Sequence, residues 1–354
     1  MAAKIIVVTG ISGSGSKEFC EKYQPEGKKV KIYKTGEMVY NLAQDDPTSP
    51  PIPSENLLNL PPEVMAYLTR ETFAQILANL EEDQKNYDRI IIDTHAQFFW
   101  DHIFHNAFDW DYLEGIPIDL FITIIDKPSS ISKAQELRGD GRSQKNDYRD
   151  LLLWQNVEVN TTQGWASRFK KPMYVLSRRQ NPSVIDSLLD NWFFIYASFP
   201  MTDADEETTR KINEFKERLR NLRKEIDGQE TPIIDPADID VEEDQILGEK
   251  VLDAINTHTV HRDLYWDIRQ ATHVISIYPD EKSPLSKGVS DEDTKAMLTG
   301  KFVSVIYPKT RRSPFMDIAH EVFTNEEEFF EYFKKKMAED LKRFKRKNDS
   351  NENE

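Results

Sequence analysis

At 354 residues the chain exceeds what a single compact core usually serves, so its length favours two domains. With 38% hydrophobic and 31% charged residues its composition is globular, and no apolar run approaches the roughly 20 residues of a membrane-spanning helix. A formal net charge of −16 repels polyanions, which excludes long nucleic acid as the expected partner and leaves small nucleotides or nucleosides.

The apolar run Ile5-Ile6-Val7-Val8 predicts a strand. It leads into Gly10-Ile11-Ser12-Gly13-Ser14-Gly15 and then a helical pattern. Strand, glycine-rich turn and helix form a phosphate-binding arrangement, in which main-chain N–H groups from Gly10, Ser12, Gly13, Ser14, Gly15 and Ser16 turn toward an anion. Such a loop needs Lys and then Ser or Thr after its last glycine, whereas the order here is Ser16, Lys17, Glu18. One step late on a helix, Lys17 points about 100° from the required direction. A dinucleotide-binding loop would need its third glycine at Glu18, so that reading fails. A single cysteine, Cys20, and a short first strand unlike a signal peptide lead to the expectation of a cytoplasmic protein.

Further strand-like runs follow at Val30–Tyr33, Arg89–Asp93, Leu120–Ile125 and Met173–Leu176, separated mostly by helical stretches. Short apolar strands alternating with helices predict a parallel sheet covered on both faces. Ligands in such sheets sit beyond the carboxyl ends of the strands, where Gly10–Gly15, Asp93-Thr94-His95 and Asp126 emerge. Asp93 has two readings: a water-mediated Mg²⁺ ligand, or a turn cap acting through Thr94.

Four segments in this half carry a resemblance: KIIVVTGISGSG, YKTGEM at Tyr33–Met38, IIIDTHA at Ile90–Ala96 and LRGDGRSQKNDYRD at Leu137–Asp150. In order and spacing they resemble the archaeal adenylate kinase family. That resemblance implies a P-loop kinase fold, ATP or a related nucleotide with Mg²⁺, and Arg138 and Arg142 as phosphate-contacting arginines. It departs at chemical positions. Ser16 replaces the lysine, Lys17 the Mg²⁺-ligating hydroxyl, and Leu57-Leu58-Asn59-Leu60 stands where the family carries an arginine for the monophosphate. Phosphoryl transfer rests on positioning and electrostatics, so three such losses predict binding without efficient transfer.

Trp192 to Pro200 reads as a fresh buried strand opening a second domain, followed by a charged helix from Glu206 to Ile226 and a strand at Pro232–Ile234. The acidic run Asp235–Asp244 reads as a solvated loop. Helices near Ile246–Ile255 and Arg262–Ile268, then strands at His273–Tyr278 and Phe302–Tyr307, predict a second parallel α/β unit. The expected organisation is therefore two three-layer α/β domains, residues 1–190 and 191–337, with a charged helix end and polar tail at 338–354. The lysine- and arginine-rich run from Lys334 to Lys347 reads as a solvated helix end.

The stretch SKGVSDEDTKAMLTGKFVSVIYP, Ser286 to Pro308, together with Tyr196 and Asp263, resembles the nucleoside 2-deoxyribosyltransferase family. The resemblance implies a Rossmann-like sheet and an active site in which Glu292 meets the sugar, Asp263 protonates the base and Tyr196 orients the glutamate. Asp280 is the candidate for a further loop acid. These residue types suit N-glycosidic cleavage, because a carboxylate can stabilise or trap an oxocarbenium-like sugar while a second acid serves the leaving base. Alternatives are a first-turn dipole partner for Glu292, a helix N-terminal acid for Asp263 and plain core for Tyr196.

His95, His102 and His105, like His258 and His261, lack partners at zinc spacing, and the aromatic run Phe98-Phe99-Trp100 reads as core or as a base-stacking surface. The sequence thus leads to a nucleotide-binding protein that cleaves or transfers at an N-glycosidic bond. Two alternatives accompany it, an active nucleoside monophosphate kinase and a non-catalytic nucleotide sensor. Oligomeric state stays open, a homo-oligomer included.

Overall fold

The computed structural model describes residues 3–45, 54–137, 145–189, 193–201, 205–239, 249–280, 283, 285–308 and 319–351. The chain divides into two compact units, Met1–Pro182 with Val241–His258, and Ser183–Asp240 with Thr259–Glu354. The first division falls before residue 190 because Ser183 and Ser187 hydrogen-bond to Glu230, within the second unit. Both units are α/β, each built on a five-stranded sheet with every pairing parallel and helices packed around it.

In chain order the strands of the first unit are β1 Lys4–Gly10, β2 Val30–Lys34, β3 Arg89–Thr94, β4 Gln97–Trp100, β5 Ile103–Asn106, β6 Leu120–Ile125 and β7 Met173–Ser177. The sheet runs β2-β3-β1-β6-β7, and all five strands expected from apolar runs lie in it. Ile5, Ile6, Val7 and Val8 are all fully buried, so both faces are covered. That is why these strands read as continuous rather than alternating apolar runs. Helices Pro62–Asn86 and Tyr148–Phe169 seal one face, with Phe73, Ile76 and Trp165 packed against Val7, Ile92 and Phe121. The aromatic run Phe98-Phe99-Trp100 forms an antiparallel hairpin, β4 with β5, a pairing the sequence pattern did not indicate.

The second unit holds β8 Ile195–Ser198, β9 Ile233–Ile234, β10 His273–Ile277, β11 Phe302–Ile306 and β12 Glu321–Phe323, ordered β12-β11-β10-β8-β9. Helices Glu206–Leu222 and Glu326–Asn351 supply Phe215, Leu219, Phe329 and Phe333 to a core against Ile195 and Ile275.

Three expectations need correction. Asp235 is not solvated: it is buried and paired with Lys216 at 2.7 Å, the ammonium also lying 4.7 Å from the Phe199 ring centroid. A buried carboxylate must be paired, and the lysine stem reaches it through apolar packing. The helix expected to begin near Arg262 is instead the continuation of Glu249–Arg262, through the π-helical turn Asp263–Asp267, to Ile268–Gln270. The C-terminal helix runs on to Asn351, so the expected tail from Asn348 is helical at its start.

Candidate functional site

Within the second unit, β8 places Tyr196 and Ser198 on the same side of the sheet, because side chains two apart on a strand share a face. The next strand, β10, leads to helix Lys287–Leu298, capped by the Ser286 hydroxyl accepting from the Val289 N–H. Glu292 therefore lies in the second turn of that helix, not the first, and a dipole role no longer accounts for it. Its carboxylate is held at both oxygens. The Tyr196 hydroxyl donates to Oε1 at 2.9 Å and the Ser198 hydroxyl donates to Oε2 at 2.5 Å.

Asp263 opens the π-helical turn, a local widening of the helix that recurs at functional sites. It is not a helix N-terminal acid. The guanidinium of buried Arg262 donates twice to Asp263 Oδ1, at 3.0 and 2.7 Å, and to the Ile239 carbonyl at 3.1 Å. Arg262 also lies 3.6 Å from Asp267, a second buried carboxylate in the same turn.

These groups shift one another. Burial, with the Asp263 charge adding to it, pushes Glu292 up to about 7, although the Ser198 and Tyr196 hydrogen bonds pull the other way. Burial and the Glu292 and Asp263 charges hold Tyr196 well above its ordinary value, so the phenol stays a donor. Asp267 is raised mainly by burial, against the pull of Arg262. Behind Glu292, buried Asp293 accepts from Ser276 at 2.5 Å and is pushed by burial to about 7. Asp280 belongs to a turn, accepting from the Ser283 N–H at 2.7 Å. The structure thus brings Tyr196, Asp263 and Glu292 into one electrostatic cluster and adds Ser198, Arg262 and Asp267. Ser198 was detectable from its two-residue spacing to Tyr196, and Asp267 from its four-residue spacing to Asp263 on a helix.

The first unit carries the glycine-rich loop at the carboxyl end of β1. Gly10 lies where a Cβ would come within 2.5 Å of Ser14 Oγ and 3.0 Å of the Ile124 carbonyl, and Gly13 and Gly15 adopt φ of 97° and 87°. Only glycine tolerates both demands. The loop is anchored by Gln135, which donates to the Ser12 carbonyl at 2.6 Å, and by the Ser14 N–H donating to Ile11 at 2.9 Å. Fully buried Glu158 ties the loop to the β3–β4 turn. Its carboxylate accepts from the N–H groups of Gly10, Ala96 and Gln97 at 3.1, 2.7 and 2.9 Å, so the Gly10 N–H, like that of Ser14, is spent inside the protein rather than turned toward an anion as expected. Burial pushes it up to about 8 against those three donors. No local pattern marks Glu158, because its partners come from two other segments of chain.

Ser16, at the lysine position, hydrogen-bonds to the Asp93 carboxylate, which burial raises to about 6. Lys17 is turned to Glu37 at 2.6 Å and Lys34 to Glu21 at 2.6 Å. Arg178, at the end of β7, packs against Gly15 and pairs with Asp126 at 3.2 Å. Beside the loop lies a cavity of about 520 Å³ reaching from Gly13 and Ser16 to Leu58, Phe98 and Trp154. Arg138 and Arg142 lie outside the described residues. Among the described residues no group of three or more His, Cys, Asp or Glu is placed to hold a metal, and no helix is long and apolar enough to cross a membrane. No family model matches the chain, and no curated protein matches it.

Proposed function

We propose that this protein acts on nucleosides or nucleotides, breaking the N-glycosidic bond at Glu292 and holding a nucleotide at the Gly10–Ser16 loop. The observation that carries the reading is the two-point grip on Glu292: Tyr196 and Ser198 donate to opposite oxygens of one carboxylate at a sheet rim. A carboxylate fixed in this way presents a defined lone pair to a sugar carbon. In the proposed step a Glu292 oxygen adds to C1′ as the bond from C1′ to the base nitrogen breaks. Asp263, its carboxylate fixed by Arg262, is assigned to relay a proton from a water to the departing base. Water or a second base then releases the sugar from Glu292, giving hydrolysis or transfer.

The first unit fits binding better than phosphoryl transfer. Its loop keeps the glycine geometry, but Lys17 faces Glu37, and Leu57 and Leu58, in the stretch the resemblance sets against an arginine, line the cavity. A magnesium ion fits there only as a companion of the nucleotide's phosphates, with Asp93 and Ser16 as the protein oxygens, since a single carboxylate is a poor cage by itself. There it would neutralise phosphate charge. The test is chromatography of the full chain incubated with nucleosides and 5′-nucleotides, and with ATP plus AMP. Free base without ADP is expected. Absence of base release from every substrate overturns the glycosidic reading, and robust ADP formation overturns the assignment of the first unit.

A further inference from the structure

We infer that the cavity beside the glycine-rich loop selects an uncharged aromatic ligand, a nucleoside or free base, and discriminates against the corresponding monophosphate. This rests on the reading of that cavity as a ligand site and specifies what it accepts.

The argument begins with charge. Two lysines, Lys17 and Lys34, line the cavity alongside three carboxylates, Glu18, Glu37 and Asp93. Each lysine already holds a carboxylate: Lys17 is 2.6 Å from Glu37, and Lys34 is 2.6 Å from Glu21 and 3.9 Å from Glu37. Among the described residues the lining therefore offers a second anion no net positive charge, and Leu57 and Leu58 add an apolar stretch of wall.

The wall is also aromatic. Tyr40, His95, Phe98, Trp100 and Trp154 contribute to it. Trp100 and Trp154 are locked through their indole N–H groups, which donate to Asn59 Oδ1 at 2.8 Å and to the Gln97 carbonyl at 2.9 Å. Phe98 is half-buried and meets His95 edge-on at 5.5 Å, leaving ring surface toward the cavity. Fixed π-faces stack bases whatever their identity, and hydrogen-bonded indoles lose no freedom on doing so. Its neighbour Phe99 is instead core, packed at 4.6 Å on Phe104 and 5.9 Å on Trp154, so the hairpin alternates one ring inward and one outward. A cavity of about 520 Å³ is of the size that encloses a small molecule.

The experiment is calorimetric titration of the full chain with adenosine, guanosine, cytidine and thymidine, with each 5′-monophosphate, and with ATP. At least one nucleoside is expected to bind about ten-fold or more tightly than its monophosphate. Phe98→Ala should weaken that nucleoside about ten-fold, and Leu58→Arg should reverse the preference toward the monophosphate. Equal or tighter monophosphate binding overturns the inference, as does unchanged nucleoside affinity in Phe98→Ala. If ATP binds but the nucleoside preference is missing, the inference alone fails. If a Phe98-dependent nucleoside binds and ATP does not, the inference stands and the phosphate role of the loop fails.

Discussion

Tyr196 and Glu292 stand 96 positions apart in the chain, yet the tyrosine hydroxyl donates to Glu292 Oε1 at 2.9 Å. Their meeting follows from sheet topology. β8 and β10 are parallel neighbours, with Val274 opposite Tyr196, and the helix after β10 begins at the carboxyl rim of that pair. A crossover returning to the same rim delivers a helix residue onto a strand residue far away in sequence.

Glu292→Gln tests the reacting group. The substitution keeps size and one of the two acceptor oxygens while removing the charge, so base release should fall by about 10²-fold or more with the fold intact. Because burial already raises Glu292 to about 7, the variant should melt no lower than the parent at pH 8. Base release and Tm on one preparation check both, and unchanged turnover removes Glu292 from the mechanism.

Ser198→Ala tests the second grip on the carboxylate. The serine donates to Glu292 Oε2 and favours its ionised form, so its loss should raise the Glu292 value further. The acid limb of the base-release profile should then move to higher pH, with about 1 kcal/mol lost in stability. A pH–rate profile that keeps its midpoint would show that Ser198 only packs.

Stability should fall as pH rises from about 6.5 to about 8. Glu158, Glu292 and Asp293 are raised to about 8, 7 and 7, from ordinary values of 4.5, 4.5 and 3.8, so in this window the folded chain holds protons that the unfolded chain has released. Each such proton contributes a slope of up to about 1.4 kcal/mol per pH unit. Buried His273, lowered to about 3, acts oppositely and chiefly below 6.5. Glu158→Gln should flatten the upper part of the curve and, by leaving one of three backbone N–H donors without its acceptor, cost about 1–3 kcal/mol at pH 6. Thermal melts across the window decide it.

Gly10→Ala should disable the loop. An added methyl would meet the buried Ser14 hydroxyl at 2.5 Å and the Ile124 carbonyl at 3.0 Å, with no room on either side. A loss of about 1–3 kcal/mol in stability and a marked loss of ATP affinity are expected. Retained affinity in a calorimetric titration would mean that the loop does not touch the nucleotide.

The first five parallel strands and the glycine loop were legible because strand runs and turn residues are short-range properties: Ile5–Val8 and Gly10–Gly15 carry their own signals. Tyr196, Asp263 and Glu292 were picked out by a family resemblance, although the sequence reading put Glu292 one turn too early on its helix and split one continuous rod at Arg262. What only the tertiary structure decided were the partners. Glu158 reaches Gly10 across 148 positions and Ser198 reaches Glu292 across 94, while Lys216 brings Asp235 inside. The aromatic and charged walls of the cavity come from Lys17, Glu37, Leu58, Phe98 and Trp154, which share no segment. Composition states that such groups exist; only close packing determines which charges neutralise one another and which ring faces are left for a ligand.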